Sequence, residues 1–416
     1  MPLASDEHIG MRVRVARNAA GLTQMELADS LRHTESWIAN VESGRQPLDR
    51  YSVITAIADR CDVDVVWLLG QPYRLQRNGG GNVAHAHIPA LRTGLRRAGL
   101  ILSGHPGLSP QGPAVDLAAL RTRSGKANTA RQAANLPQVA TLLPPMVEDL
   151  NTALLAAEVS ADREQVLRLL VDAARTARMC LNQLGYPDLA WVAAEVAAGA
   201  ATRLDDPVVK AGVAWDRCGA LLHQASLRET VAIADAALAD LEPHATGRGA
   251  QDAAVSLRGA LHLRCAIAHA RGGQTADAWA RIDAALTDAD RLGQGWYDLD
   301  AHTVFGRGVV AVHAAEAGVE IDQPDKGLTR VPSVDVGEVP SRERRTHYAI
   351  DKARSLHRLG KSPAAVVQLR AAAADAPYYV YADPMSRALV SDLARVGVPS
   401  QASELSGLIR NMELVY

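Results

Sequence analysis

Apolar positions in the first 70 residues recur every three to four places, punctuated by small polar residues and glycines. Ile9, Val13 and Ala16 mark one side of a helix over 9–20, with Arg12, Arg14 and Arg17 between them and Gly21 at its end. Thr23 and Glu26 form a T-x-x-E capping box that opens a second helix running to about Leu31, with Met25, Leu27, Ala28 and Leu31 as its apolar side. After Arg32-His33, Thr34 caps a third helix, whose inner stripe is Trp37, Ile38 and Val41 and whose stop is Gly44. A fourth helix fits Tyr51 to Cys61, with Val53, Ile54, Ile57 and Ala58 inward, and a fifth fits Asp64 to Leu69, ended by Gly70. Each is too short to persist alone, so the five must fold as one bundle.

Beyond Gln71 the punctuation changes. Gly79-Gly80-Gly81 reads as a flexible joint, Ile88 to Leu102 as a helix carrying Arg92, Arg96 and Arg97, and Ser103 to Pro113 as loop. The chain therefore divides into a bundle at 1–73, a flexible basic linker with one helix at 74–113, and a long helical region at 114–416. There the period predicts helices at roughly 114–134, 137–157, 162–184, 188–203, 208–225, 228–241, 249–271, 275–292, 298–317, 341–359, 362–375, 384–396 and 399–413. Links as short as Gly185-Tyr186-Pro187 and Gly272-Gly273 make neighbouring helices antiparallel pairs. Ile321 to Pro340 interrupts the array as an irregular or short-helix insertion.

The region also repeats itself. Arg217-Cys218 through Asp235-Ala236-Ala237-Leu238 recurs as Arg264-Cys265 through Asp283-Ala284-Ala285-Leu286, offset by 47 residues at the first pair and 48 at the second. A third copy runs from Arg354 to Gly360, then Ala364-Ala365 and Ala371 to Asp375. Small residues at matched places let one helix pair nest on the next.

Composition agrees with an all-α chain. At 416 residues there is more than one core, and the 48% hydrophobic content is mostly alanine and leucine, with 4% aromatics and a single phenylalanine, Phe305. The net charge of −2 excludes a bulk basic nucleic-acid binder. Arg77, Arg92, Arg96, Arg97, Arg121, Arg123, Lys126 and Arg131 nevertheless face only Asp116 between Gln76 and Asn135, a zone that fits either a solvated helix face or phosphate contacts. Cys61, Cys180, Cys218 and Cys265 form no C-x-x-C pair and read as buried thiols of a reducing cytoplasm. No apolar run is long enough to span a membrane, and no leader segment is evident.

Catalytic signatures are lacking. Gly360-Lys361-Ser362 imitates the end of a phosphate-binding loop, but Ser355 stands where the first glycine belongs. His85 and His87 lack nearby acidic or cysteine partners for a metal. No enzyme activity, cofactor or metal is expected.

Gly21-Leu22-Thr23-Gln24, Glu26-Leu27-Ala28, Ile38, Glu42 and Gly44 stand at the spacing of the lambda-repressor/Cro (XRE) helix-turn-helix family, which Ile9 to Leu69 resembles. The turn departs from that family in having Arg32 where glycine is common. The resemblance implies double-stranded DNA as a partner, with Gln24, Thr34, Glu35, Ser36, Trp37, Asn40, Arg45 and Gln46 facing it. The second helix of such a pair enters the major groove. Asn40 would pair with adenine and Glu35 would accept from cytosine, with Ser36 permissive. Trp37 would meet a thymine methyl or pack on the preceding helix. Gln24, Arg45 and Gln46 would hold phosphates. Arg17 and Glu42 would form a structural ion pair. Such modules bind palindromic operators as symmetric pairs, so a homodimer is implied.

The later region resembles tetratricopeptide repeats, with a period longer than the usual ~34 residues, giving an α-solenoid. An XRE module joined to such repeats is similar to peptide-sensing regulators of Gram-positive bacteria and to a large actinobacterial group. This implies a peptide or small-molecule effector, for which Trp191, Trp215, Trp279, Trp296, Tyr297, Phe305 and Tyr348 are candidate contacts unless each only fills space between helices. Three functions follow: a ligand-controlled transcriptional regulator, a regulator whose repeats bind a protein partner, and an interaction protein with vestigial DNA binding.

Overall fold

The computed structural model describes residues 8–73, 79–110, 114–157, 160–247, 249–299 and 302–414. Among them the regular structure is entirely helical. The N-terminal bundle comprises α1 (Ile9–Ala19), α2 (Gln24–Ser30), α3 (Glu35–Glu42), α4 (Tyr51–Cys61) and α5 (Val65–Leu69). Its core is Val13, Ala16, Leu27, Ile38, Val41, Ile54, Ile57 and Leu68, all essentially buried.

The array begins earlier than its sequence suggests. Helices α6 (Gly79–Ala86) and α7 (Ile88–Leu102) occupy the segment expected to be a flexible basic linker with one helix; α7 is that helix, but it packs into the array instead of standing apart from it. The three glycines, read as a joint, open α6; Arg77 lies outside the described residues. The reason is periodic: Ile88, Leu91, Leu95, Ala98 and Leu102 form one apolar stripe that joins the first core of the array, and Arg92 and Arg96 sit on the opposite, exposed face.

Paired helices follow: α8 (Leu117–Gln132), α9 (Leu136–Ala156), α10 (Ser160–Gln183), α11 (Pro187–Thr202), α12 (Pro207–His223), α13 (Leu227–Ala245), α14 (Asp252–Arg271) and α15 (Thr275–Leu292). After them come α16 (Arg307–Glu320), α17 (Pro324–Thr329), α18 (Arg342–Arg358), α19 (Ser362–Asp375), α20 (Pro377–Ala382), α21 (Pro384–Val396) and α22 (Ala402–Asn411). The three sequence copies fall on the pairs α12/α13, α14/α15 and α18/α19. Helices α10, α12, α14, α16 and α18 pack side by side as one layer, with α11, α13 and α15 behind them. The two ends of this layer meet: Arg131 of α8 pairs with Glu343 of α18, and the Gln183 amide donates to the Tyr379 carbonyl at 3.1 Å. No helix among the described residues is long and apolar enough to cross a membrane.

One predicted helix is displaced. The span 298–317 was expected to be helical throughout, but α16 starts at Arg307 and continues to Glu320. The residues before it fold back, with the Asp298 amide donating to the Phe305 carbonyl at 3.0 Å and Ser256 Oγ donating to Asp298 at 2.6 Å. This places Phe305, fully buried, against Gly259 of α14. The insertion at 321–340 holds α17 and a single 3-10 turn at Val336–Glu338.

A methyl group added at Gly259 would lie 2.1 Å from Phe305 Cζ. Gly259→Ala is therefore expected to destabilise the array by about 1–3 kcal/mol, read from the urea midpoint of the full chain.

Candidate nucleic-acid interface and the seam behind it

The two helices of the motif are positioned by local chemistry. Glu26 Oε2 accepts from the Thr23 amide at 2.7 Å and Thr23 Oγ1 accepts from the Glu26 amide at 3.1 Å, which starts α2. In the turn, Arg32 adopts φ +57°, the left-handed conformation that explains the family's glycine and that costs a side-chain-bearing residue about 1–2 kcal/mol. Thr34 Oγ1 then accepts from the Trp37 amide at 3.2 Å, starting α3. The Trp37 indole stacks on His33 at 3.9 Å between centroids and is half-buried against the bundle core. That geometry sides with packing for Trp37.

The far end of α3 is pinned. Arg17 donates to both oxygens of Glu42 and, through Nη1, to the Leu22 carbonyl at 2.7 Å. Gln24 Nε2 adds a bond to Glu42 at 2.8 Å. Breaking such a buried pair from one side costs about 3–5 kcal/mol. One N–H of the Gln24 amide is used by Glu42, so the expected phosphate contact would fall to its second N–H.

With Ile38 and Val41 inward, the helical period puts Glu35, Ser36 and Asn40 on the outer face of α3. Thr34, Glu35, Ser36 and Arg45 are exposed, and Asn40 and Gln46 are half-buried. The basic zone is divided. Arg97, Arg123 and Arg131 spend their charge on Glu148, Asp149 and Glu343, while Arg92, Arg96, Arg121 and Lys126 stay exposed. His85 and His87 turn to different partners, His85 to the Tyr186 hydroxyl and the Tyr73 carbonyl, His87 to Thr141.

Sequence reasoning missed the seam between bundle and array. Helix α4 has no side-chain cap of its own at Arg50. Glu320, the last residue of α16, provides one: its carboxylate accepts from the amides of Tyr51 at 3.3 Å and Ser52 at 3.1 Å. Arg354 of α18 joins this group, donating to Glu320 at 3.1 Å, to Asp351 at 2.6 Å and to the Asp49 carbonyl at 2.6 Å. Arg358 pairs with Asp49 at 2.6 Å, and the Arg271 guanidinium lies 4.4 Å from the Tyr51 ring. Burial alone would raise the Glu320 carboxyl, but Arg354 and Arg271 hold it below its usual value. The only sequence signal was Arg354 itself, which opens the third repeat copy.

Two cavities adjoin this seam. One, of about 460 Å³, lies between α1, the loop after α3, and α21. The other, of about 100 Å³, is enclosed by α10, α12, α14, α16 and α18 and closed by Tyr51 and Gln71. None of the seven candidate aromatics lines either cavity. Trp215 and Phe305 are buried, Trp191 and Trp296 are half-buried, and Trp279, Tyr297 and Tyr348 pack against the core around α14. Glu316, His347 and Asp351 bring three metal-ligand atoms within 4.8 Å of one another, but Arg271 and Arg354 already pair with their carboxylates.

A family model for the helix-turn-helix domain matches residues 8–66. No curated protein and no solved structure matches the chain. The matched domain covers α1 to α4 and the start of α5, and it supports a DNA-binding regulator.

Inside the smaller cavity, His347 Nε2 lies 3.6 Å from Glu316 and 3.4 Å from Asp351. Burial alone would lower its pKa, but Glu316 and Asp351 outweigh this and raise it to about 9. A raised pKa stabilises the fold fully below the ordinary value near 6.5, and that contribution fades as pH rises through about 9. The melting temperature of the full chain is expected to fall across this alkaline window, and His347→Gln to flatten that part of the profile.

Proposed function

We propose that the chain is a sequence-specific transcriptional regulator, acting in the cytoplasm without catalysis of its own. Helix α3 reads the operator, and the helical array sets how that helix is held. The observation that carries this reading is the capping of α4 by Glu320, with Arg354 binding both units. The DNA-facing residues Glu35 and Ser36 remain exposed with the bundle docked. Docking therefore acts through orientation and not by covering the reading surface.

The bundle is slightly acidic, so one copy has little nonspecific attraction for DNA, and binding as a pair on a palindrome compensates. In a pair, the angle between bundle and array fixes the distance between two recognition helices. A ligand that favours one arrangement of the seam would change operator affinity through that distance. Both cavities adjoin the seam, which favours a small effector over a protein partner.

A gel-shift with the full chain against its own upstream DNA tests the reading, and absence of any sequence-selective binding would overturn it. Asn40→Ala is expected to relax preference at one base position by about 1–3 kcal/mol. Uniform weakening on all sequences would instead make Asn40 a phosphate contact. Glu320→Ala removes the cap of α4 and is expected to broaden the range of half-site spacings bound, measured on a series of palindromes with altered spacers.

A further inference from the structure

We infer that the small chamber between array and bundle is a binding site for a small anion, a phosphate or a short carboxylate. Five arginines line it, and the carboxylates around it are unequally shared. Arg178 pairs with Asp216, Arg271 with Glu316, and Arg354 with Asp351 and Glu320. Arg264 and Arg344 have no ion pair among the described residues. Arg344 is 4% exposed, yet its Nε and Nη2 have no hydrogen-bond partner, and Arg264 Nε has none either. Buried polar atoms are rarely left so.

The local architecture keeps these groups in place. Trp215 stacks below them, its ring 4.0 Å from the Arg264 guanidinium and 5.7 Å from that of Arg344. Contact through the flat face leaves the N–H edges for a planar or tetrahedral anion. Gly219 of α12 makes room, since a Cβ there would come within 2.8 Å of Arg178 Nη1 and 3.1 Å of Arg264 Nη2. Burial, with Arg178 and Arg344 nearby, pushes Arg264 down to about 9, a like-charge cost that an anion relieves.

Size selects the occupant. About 100 Å³ is well below the ~300–1,000 Å³ of sites for drug-sized ligands, so a peptide does not fit. Because Tyr51 and Gln71 of the bundle complete the wall, the anion touches both units and stabilises the docked arrangement. That regulatory consequence rests on the proposed function; the binding itself does not.

The test is calorimetric titration of the full chain with inorganic phosphate and, separately, succinate, in chloride buffer of matched ionic strength. One of the two is expected to bind saturably at one site per chain and to raise the melting temperature. Arg344→Gln is expected to weaken it at least tenfold, while Arg92→Gln, on the exposed face of α7, leaves it unchanged. Arg344→Lys, which keeps the charge but not the fork, serves if the glutamine variant does not fold, and should also weaken binding. No saturable binding of either anion, or equal affinity in the Arg344 variants, overturns the site. Operator binding without anion binding sinks only this inference, whereas anion binding without operator binding sinks the regulatory reading.

Discussion

The carboxylate of Glu320 is the interaction on which the relation between the two units depends. A helix start leaves amides without partners, and the positive end of its dipole favours a negative charge there. In most helices a neighbouring Ser, Thr, Asp or Asn meets this need, as Thr23, Thr34 and Asp64 do within the bundle. Helix α4 has Arg50 at that position and takes its cap from the array instead. The bundle therefore completes one of its own helices only when docked. Arg354 offsets the burial of Glu320 and carries the same contact on to Asp49, so cap and charge balance belong to one network.

The array is built to bring such networks inward. Asp216 is fully buried, and although burial would raise its carboxyl, Arg178 and Arg175 hold it at about 2. Glu316 bridges Arg271 and His347, linking α14, α16 and α18. Alanine-rich rear faces let the helices approach closely, and glycine on α12 admits the guanidinium groups. The result is a polar interior layer on an apolar rear layer, the reverse of a simple bundle.

Legibility in the sequence followed the range of the interactions. Within the bundle, α2, α3 and α5 were readable from caps that lie two or three residues from the amides they satisfy, and α1 and α4, which have no local side-chain cap, from their apolar stripes alone. The helix at Ile88 to Leu102 was readable, but its place in the array was not, because the arginines on its exposed face drew attention away from the stripe Ile88, Leu91, Leu95, Ala98 and Leu102 that joins the first core. The start of α16 was not readable: Asp298 and Phe305 are held by Ser256 and Gly259, some 40 residues back along the chain. The scarce aromatics suggested a lined pocket, yet the smaller cavity is walled largely by arginines, histidines and carboxylates whose grouping depends on five separate helices, and none of the seven aromatics lines the larger one. Glu320 lies outside the helix that periodicity assigned to 298–317.

The separation of 269 positions between Tyr51 and Glu320 also imposes an order on the life of the chain. The bundle emerges first from synthesis, and its fourth helix stays uncapped until the array has been made and its ends have met. A product terminated before Glu320 would carry the whole bundle but not the carboxylate that caps its fourth helix. The fold thus ties the completion of a short early helix to a residue made much later, and the bundle is finished only when the array is.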